Sequence, residues 1–346
     1  MLIDFSATVE MTCLVDNPDS SGQKKKMIYA LVFVALFVLE LVYFKIADRF
    51  NIIDKPNERS SHTAITLRGG GIIFYLGALA YFILSEFQYP WFFLGLTMMT
   101  IVSFADDVMT LSNKFRLLVH FTSVLLMAYQ LDLFEMPWYF LLIAFVVVVG
   151  VINAYNFMDG INGITACYSL AVGGLLLGVN YTIDFINPDL LIYTLLSVLV
   201  FAFFNFRARA KCFAGDVGSV AIAFILLFAL TALIIKTQNL IYILFLSVYG
   251  IDTVWTIIRR LSNGENIFKA HRSHLYQYLG NEAGVNKLLV SFMYGALQFG
   301  IGYVVIRVAE KDVNTQLVFS IGLLVGMSVL YLLGKRYLIR KYVING

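Results

Sequence analysis

Three short stretches of this chain set carboxylates where hydrocarbon-length runs stop or start. Asp106-Asp107 closes one run, Asn153-Ala-Tyr-Asn156-Phe-Met-Asp159-Gly160 lies between two, and Gly215-Asp216-Val217-Gly218-Ser219 opens another. Ionisable groups near bilayer depth are costly and mark functional sites by default. Adjacent carboxylates repel, so Asp106 and Asp107 call for a cation or a shared proton. Hard oxygen donors of this kind suit magnesium, which keeps waters and is completed by substrate phosphates. The i, i+3, i+6 spacing of Asn153, Asn156 and Asp159 lets all three point from one helix face into a common cavity. Glycines at the helix start around Asp216 can admit a phosphate to free backbone N–H groups. Phe213, just before them, can stack on a flat base. Each stretch also has a plainer reading: a solvated helix end, a polar turn, and a helix cap by Asp216 or Ser219.

Two further segments carry mixed charge. After a run ending near Arg259-Arg260, the chain reads Lys269-Ala-His271-Arg272-Ser-His274-Leu-Tyr-Gln277. The basic neighbours favour anion binding over zinc, which would want further thiolate or imidazole ligands; of four histidines only His62 and His120 remain. His120 sits inside an apolar run and reads as a packed residue. Asp252, also inside a run, is open between a functional acid and a structural partner of Arg259 or Arg260. An earlier loop contains Arg59, His62, Arg68 and the triple glycine 69–71. It reads as a phosphate-approaching loop or as a flexible basic loop at an anionic leaflet.

The elements that must hold these residues are set by composition. The 346 residues are 60% hydrophobic and 14% charged, with mean hydropathy +0.81. Soluble domains are about a quarter charged, so this is a polytopic membrane protein. A span needs about 20 apolar residues. The candidates are residues 27–46, 71–87, 91–105, 116–131, 137–154, 161–180, 189–206, 217–236, 239–258, 287–307 and 316–334. The expected fold is therefore all-α, with about eleven transmembrane helices.

Most Lys and Arg fall on one alternate set of loops, which places that set in the cytoplasm, the N-terminus outside and the C-terminus inside. All the acidic and histidine clusters then share the cytoplasmic face. Lys24-Lys25-Lys26 pulls the other way. Residues 1–26 form an N-terminal extension, read as disordered or as an over-long start. Residues 27–334 form one catalytic transmembrane domain with cytoplasmic loops at 48–70, 105–115, 153–162, 206–219 and 259–286, and 335–346 is a cytoplasmic tail. No dense basic tract with interleaved aromatics suggests nucleic acid. The three scattered cysteines form neither a disulfide framework nor a zinc pattern.

Taken together, the motifs resemble those of the polyprenyl-phosphate N-acetylhexosamine-1-phosphate transferases, glycosyltransferase family 4, from about residue 45 to 280. The resemblance implies transfer of a sugar 1-phosphate from a UDP-sugar to undecaprenyl phosphate, giving a polyprenyl-diphosphate sugar and UMP, with Mg²⁺ as cofactor and Mn²⁺ able to substitute. It implies Asp216 as metal ligand; Asp106, Asp107 and Asp159 as catalytic carboxylates, with Asn156 beside them; Phe213 stacked on uracil; His271, Arg272 and His274 facing the pyrophosphate and sugar; and Arg59 and His62 flanking the lipid phosphate. Arg59-Ser-Ser-His62 and Arg68-Gly-Gly-Gly71 resemble the O-antigen branch, whose sugars include N-acetylated 6-deoxyhexosamines. His271-Arg-Ser-His274-Leu-Tyr-Gln277 departs from the Asp-Arg-x-His-x-His-His pattern of the N-acetylglucosamine and peptidoglycan branch. Residence in a bacterial inner membrane follows, and a homodimer is compatible with it. The rival reading is a secondary transporter of an anionic solute, whose site would lie at the midplane between repeats.

Overall fold

The computed structural model describes residues 18–54, 65–109, 111–266 and 271–344. Among the described residues the regular structure is helical apart from one minimal two-stranded pair. In order the elements are α1 (Pro18–Arg49), β1 (Ile53–Asp54), β2 (Thr66–Leu67), α2 (Ile72–Leu84), α3 (Pro90–Val108), α4 (Asn113–Gln130), α5 (Trp138–Met158), α6 (Ile164–Ile183), α7 (Pro188–Asn205), α8 (Gly215–Thr237), a 3-10 segment (Leu240–Leu246) running into α9 (Ser247–Ser262), the single turn α10 (Leu275–Gln277), α11 (Lys287–Val308) and α12 (Val313–Ile339).

Among the described residues, nine helices are long and apolar enough to cross a membrane. Two of the eleven expected segments fall short of that measure. α2 has 13 residues, and α4 is 18 residues long but carries Lys114, Arg116 and His120. α1 starts at Pro18 rather than near Met27, so Lys24-Lys25-Lys26 lies inside the helix.

The helix starts are locally encoded. Proline opens α3 and α7, where a missing N–H costs nothing. Side chains of Ser112, Asn187, Asn286 and Asp312 accept from the first turns of α4, α7, α11 and α12. α8 forms the centre, buried without interruption from Val217 to Leu230; a helix apolar all round belongs inside. Phe92 of α3 stacks on Phe228 of α8 with ring centroids 4.0 Å apart. α1 and α12 sit outermost, with Leu31, Val34, Val38, Leu317, Ile321 and Leu330 bare. At roughly 25 cal/mol per Å2 of apolar surface, such faces fit lipid, not water.

Successive helices alternate, so that one end of the bundle gathers the ends of α3, α5, α7 and α9 and the starts of α4, α6, α8 and α11. The Gly163 N–H before α6 donates to Asn205 at the end of α7, 2.7 Å. A short antiparallel pair (Ile53 opposite Leu67, Asp54 opposite Thr66) extends to a parallel bridge between Leu67 and Cys212. Gly70 and Gly71 then donate to the carbonyls of Phe213 and Ala214 at 2.9 and 3.1 Å.

This ties the start of α2 to the start of α8. The Gly71 and Gly218 backbones meet so closely that a Cβ on either would overlap the other. Gly70 faces Cys212 and Glu40 in the same way. The glycine run expected to approach a phosphate is used, at Gly70 and Gly71, for helix packing.

Candidate active site

The three aspartates at this end meet across two arginines. Arg68 Nε lies 2.7 Å from Asp107 Oδ1, and its Nη2 lies 3.2 Å from Asp216 Oδ1. Arg116 Nη1 lies 2.7 Å from Asp106 Oδ2, and its Nη2 lies 3.4 Å from Asp216 Oδ2. Asp216 is thus shared by two guanidiniums, one on each carboxylate oxygen.

Asp107 differs from its neighbour. Its side chain is 0% exposed, and its two oxygens accept the backbone N–H groups of Asp216 and Val217, each at 3.0 Å. The α8 N-terminus expected to be free for a phosphate is occupied by this carboxylate, the pairing a helix dipole favours. Gly215 makes it feasible: φ is +72°, and a Cβ there would stand 2.6 Å from Asp107 Oδ2. Asp106 is 10% exposed and also accepts from the Leu111 N–H, 2.9 Å. Ser219, read as a candidate cap, turns its hydroxyl back to the Gly215 carbonyl at 3.0 Å.

The polar stretch ending α5 divides. Asn156 reaches into the site and donates to Ser219 Oγ at 3.2 Å. Asn153 does not join it; its amide folds back on the Val149 carbonyl at 2.8 Å. Asp159, just beyond the helix, accepts from the Thr165 hydroxyl at 2.6 Å. Burial pushes the Asp159 carboxyl up to about 7; the Thr165 bond opposes the shift, and the Asp216 and Asp107 charges add to it. Phe213 is half-buried beside Ala214, its backbone N–H on the Leu67 carbonyl at 2.8 Å.

The histidine segment folds over the same corner. The Tyr276 hydroxyl donates to the Phe157 carbonyl at 3.0 Å and fills the space beside Gly160. His271 lies edge-on to Phe157, 6.0 Å between centroids, and its Nδ1 is 2.9 Å from Arg260. Arg272 is paired with Glu282 at 2.6 Å. His274 is 1% exposed and holds Asp252 through Nδ1 at 3.2 Å. Of the two readings left open for Asp252, a functional acid or a structural partner of Arg259 or Arg260, its contacts among the described residues give it neither arginine and join it to His274. His120 is buried in α4, in line with a packed role. Arg59 and His62 lie outside the described residues.

Among the described residues, no group of three or more His, Cys, Asp or Glu converges as a closed metal site. The donors fit an open one. Asp216 keeps an 18% exposed carboxylate at the rim of the cluster, and magnesium needs only one or two carboxylates when phosphates complete its shell.

Sequence reasoning counted Arg116 only as a loop charge and read Arg68 only as part of a loop approaching a phosphate or an anionic leaflet, pairing neither with the aspartates. The signal was there in outline, since Arg116 falls in the first turn of the helix that follows Asp106-Asp107.

Helix ends bring acids, arginines and imidazoles to one end of the bundle, and residues 89–235 match the family described as glycosyl transferase family 4. That match and the relatives below support the family that the sequence motifs resemble. Among its relatives, a probable undecaprenyl-phosphate N-acetylglucosaminyl 1-phosphate transferase of Bacillus subtilis (strain 168) is 26% identical, over 84% of this chain and 87% of that protein. The undecaprenyl-phosphate alpha-N-acetylglucosaminyl 1-phosphate transferases of Yersinia pestis and Escherichia coli (strain K12) are each 27% identical, over 72% of this chain and 75% of theirs. The matched span 89–235 holds Asp106, Asp107, Asn156, Asp159 and Asp216 but neither Arg68 nor the histidine segment.

Proposed function

We propose that the protein transfers an N-acetylated hexosamine 1-phosphate from a UDP-sugar to undecaprenyl phosphate, releasing UMP. The observation that carries this reading is the cluster in which Arg68 and Arg116 bridge Asp106, Asp107 and Asp216, in a chain with these relatives. Joining two polyanions is limited by charge, so cations matter more than a strong base. Mg²⁺, or Mn²⁺ in its place, held through Asp216 and the substrate phosphates, supplies that neutralisation when bound.

In this reading the acceptor's phosphate oxygen bonds to the β-phosphorus, and the bond from that phosphorus to the bridging oxygen breaks. UMP leaves with the bridging oxygen. With a second pKa near 6, the acceptor is already largely a dianion at neutral pH. Asp106, the more open of the pair, orients it, while Asp107 holds the α8 start and Arg68. Arg68 and Arg116 exchange carboxylate contacts for phosphate oxygens as substrate enters. Asp159 and Asn156 line the α5 side, Phe213 stacks on uracil, and His271, Arg272 and His274 face the diphosphate and sugar. Arg59 and His62 flank the lipid phosphate. Eleven crossings, with the N-terminus outside and this face in the cytoplasm of a bacterial inner membrane, complete the reading. The donor is a UDP-N-acetylhexosamine or a UDP-N-acetyl-6-deoxyhexosamine, and the panel of UDP-sugars below chooses between them.

The test is UMP release in detergent from a panel of UDP-sugars with undecaprenyl phosphate. UMP is expected only when lipid phosphate is present, and Asp216→Asn or excess EDTA should abolish it. A stoichiometric burst of UMP without acceptor, with sugar phosphate trapped on an aspartate, would replace direct displacement by a covalent route. Full activity in EDTA would remove the metal from the account.

A further inference from the structure

Asp252 is buried in the apolar body of α9, 1% exposed, and its surroundings point one way. Its Oδ1 accepts the Leu275 N–H at 3.0 Å and faces His274 Nδ1 at 3.2 Å. Its Oδ2 accepts the Tyr294 hydroxyl of α11 at 2.8 Å. The Tyr331 hydroxyl of α12 donates to Oδ1 at 3.1 Å. Lys335 of α12, 4% exposed, reaches toward the same group through Tyr331 at 2.6 Å and Thr256 at 3.0 Å. One carboxylate therefore ties α9, α11 and α12 to the start of the histidine segment.

An aspartate needed only to join helices would not have to seize an imidazole. By accepting from Nδ1, it makes Nδ1 the proton-bearing nitrogen and leaves Nε2 for something else. That Nε2 is buried and has no hydrogen-bond partner in the protein. A buried polar atom without a partner costs stability and calls for an occupant. The ring lies between His271, 5.0 Å away, and Tyr276, 5.7 Å away and nearly parallel. Both of these rest on the end of α5 that bears Asn156 and Asp159.

We propose that Asp252 is a positioning residue: it locks the His274 imidazole so that Nε2 is presented to the sugar-phosphate part of the substrate. A nitrogen held rigidly in place acts on charge that shifts during transfer more than on the bound ground state. Loss of Asp252 should then lower kcat and leave KM nearly unchanged. The groups facing this pair are His271 from its own segment, Tyr276 from α10, Tyr294 from α11, and Tyr331 and Lys335 from α12, with Arg259 of α9 acting on the last two.

The inference rests on the transferase reading, and the experiment separates the two. UMP release is measured from the full chain in detergent with UDP-N-acetylglucosamine, or whichever UDP-sugar the panel favours, and undecaprenyl phosphate. The variants are Asp252→Asn, His274→Asn and the double substitution. His274→Asn keeps a donor near Nδ1 and removes Nε2 alone. Elution profile and melting temperature report folding. Each single variant is expected to lose kcat on the order of 10²-fold, the scale of one positioned proton-transfer group, with KM within about threefold. The double variant should fall no further than His274→Asn, because residues acting as a unit are not additive.

Where Asp252→Asn does not fold, Asp252→Glu keeps the charge and displaces it by one methylene. The same kcat loss at unchanged KM supports the proposal, and wild-type turnover overturns it. Losses that multiply in the double variant, or an Asp252→Asn enzyme with normal kcat, also overturn it while the transferase reading stands. A wild type silent with every UDP-sugar sinks that reading and this inference with it.

Discussion

Asp106 and Asp107 are neighbours in sequence and have different tasks in space. Asp107 is sealed by two backbone N–H groups and Arg68, whereas Asp106 meets Arg116 at a partly open surface. Asp107→Asn should therefore lose both turnover and stability. Hydrogen bonds to a charged group are worth about 1.5–3 kcal/mol each, and an amide can replace only one acceptor. Asp106→Asn should lose turnover with a melting temperature near wild type. Thermal melts beside UMP assays check this; a wild-type melting temperature for Asp107→Asn would refute the capping role.

Asp159 makes a prediction in pH. Its folded carboxyl sits up near 7 because it is buried, well above the unfolded value of about 3.9. Between those values the folded state holds a proton that the unfolded state releases, so stability falls as pH rises through the window. Asp159→Asn removes that slope. The wild-type melting temperature minus that of the variant, measured in EDTA, should fall from pH 4 to 7 and be flat above. A constant difference would contradict the shift.

Helix ends, more than helix bodies, carry this protein's chemistry. The starts of α2 and α8 approach through Gly71 and Gly218 with no room for side chains, and this contact carries Arg68 and Asp216 to each other. Gly71→Ala or Gly218→Ala should destabilise by about 1–3 kcal/mol, the usual scale for overpacking, and should weaken the Arg68–Asp216 contact. A lowered melting temperature with reduced activity is expected; unchanged values would mean the helices separate at no cost. α2 and α4 fall short of a full span for different reasons, α2 by its 13-residue length and α4 by its charged first turn. Each begins next to a site arginine, Arg68 before α2 and Arg116 in the first turn of α4.

The whole bundle places its charged end on one side. Under the proposed eleven crossings, a tag before residue 18 should lie outside and one after residue 344 in the cytoplasm. Reporter fusions or impermeant cysteine labelling at the two ends test this. Both ends on one side would remove one crossing, and α2, at 13 residues the shortest of the eleven, would be the first to reconsider. The outermost helices α1 and α12 meet different needs. Their bare apolar faces suit lipid, while Lys335 turns inward to Thr256 and Tyr331.

Much of this was legible in the chain itself, because membrane spans are a one-dimensional property. A run of apolar residues must be helical in lipid to satisfy its own backbone, so the spans, the acidic breaks between them and the family motifs could be read without coordinates. What could not be read depends on which helix ends meet. Asp107 caps a helix whose first residues lie more than a hundred positions away. Arg68 reaches Asp216 across 148, and Asp252 passes over the nearby Arg259 and Arg260 to take His274. Local sequence records charge and spacing but not these long-range partners. Partnership decides which carboxylate is free, which helix start is open and which glycines pack, since a buried charge settles on the donor that packing brings within reach.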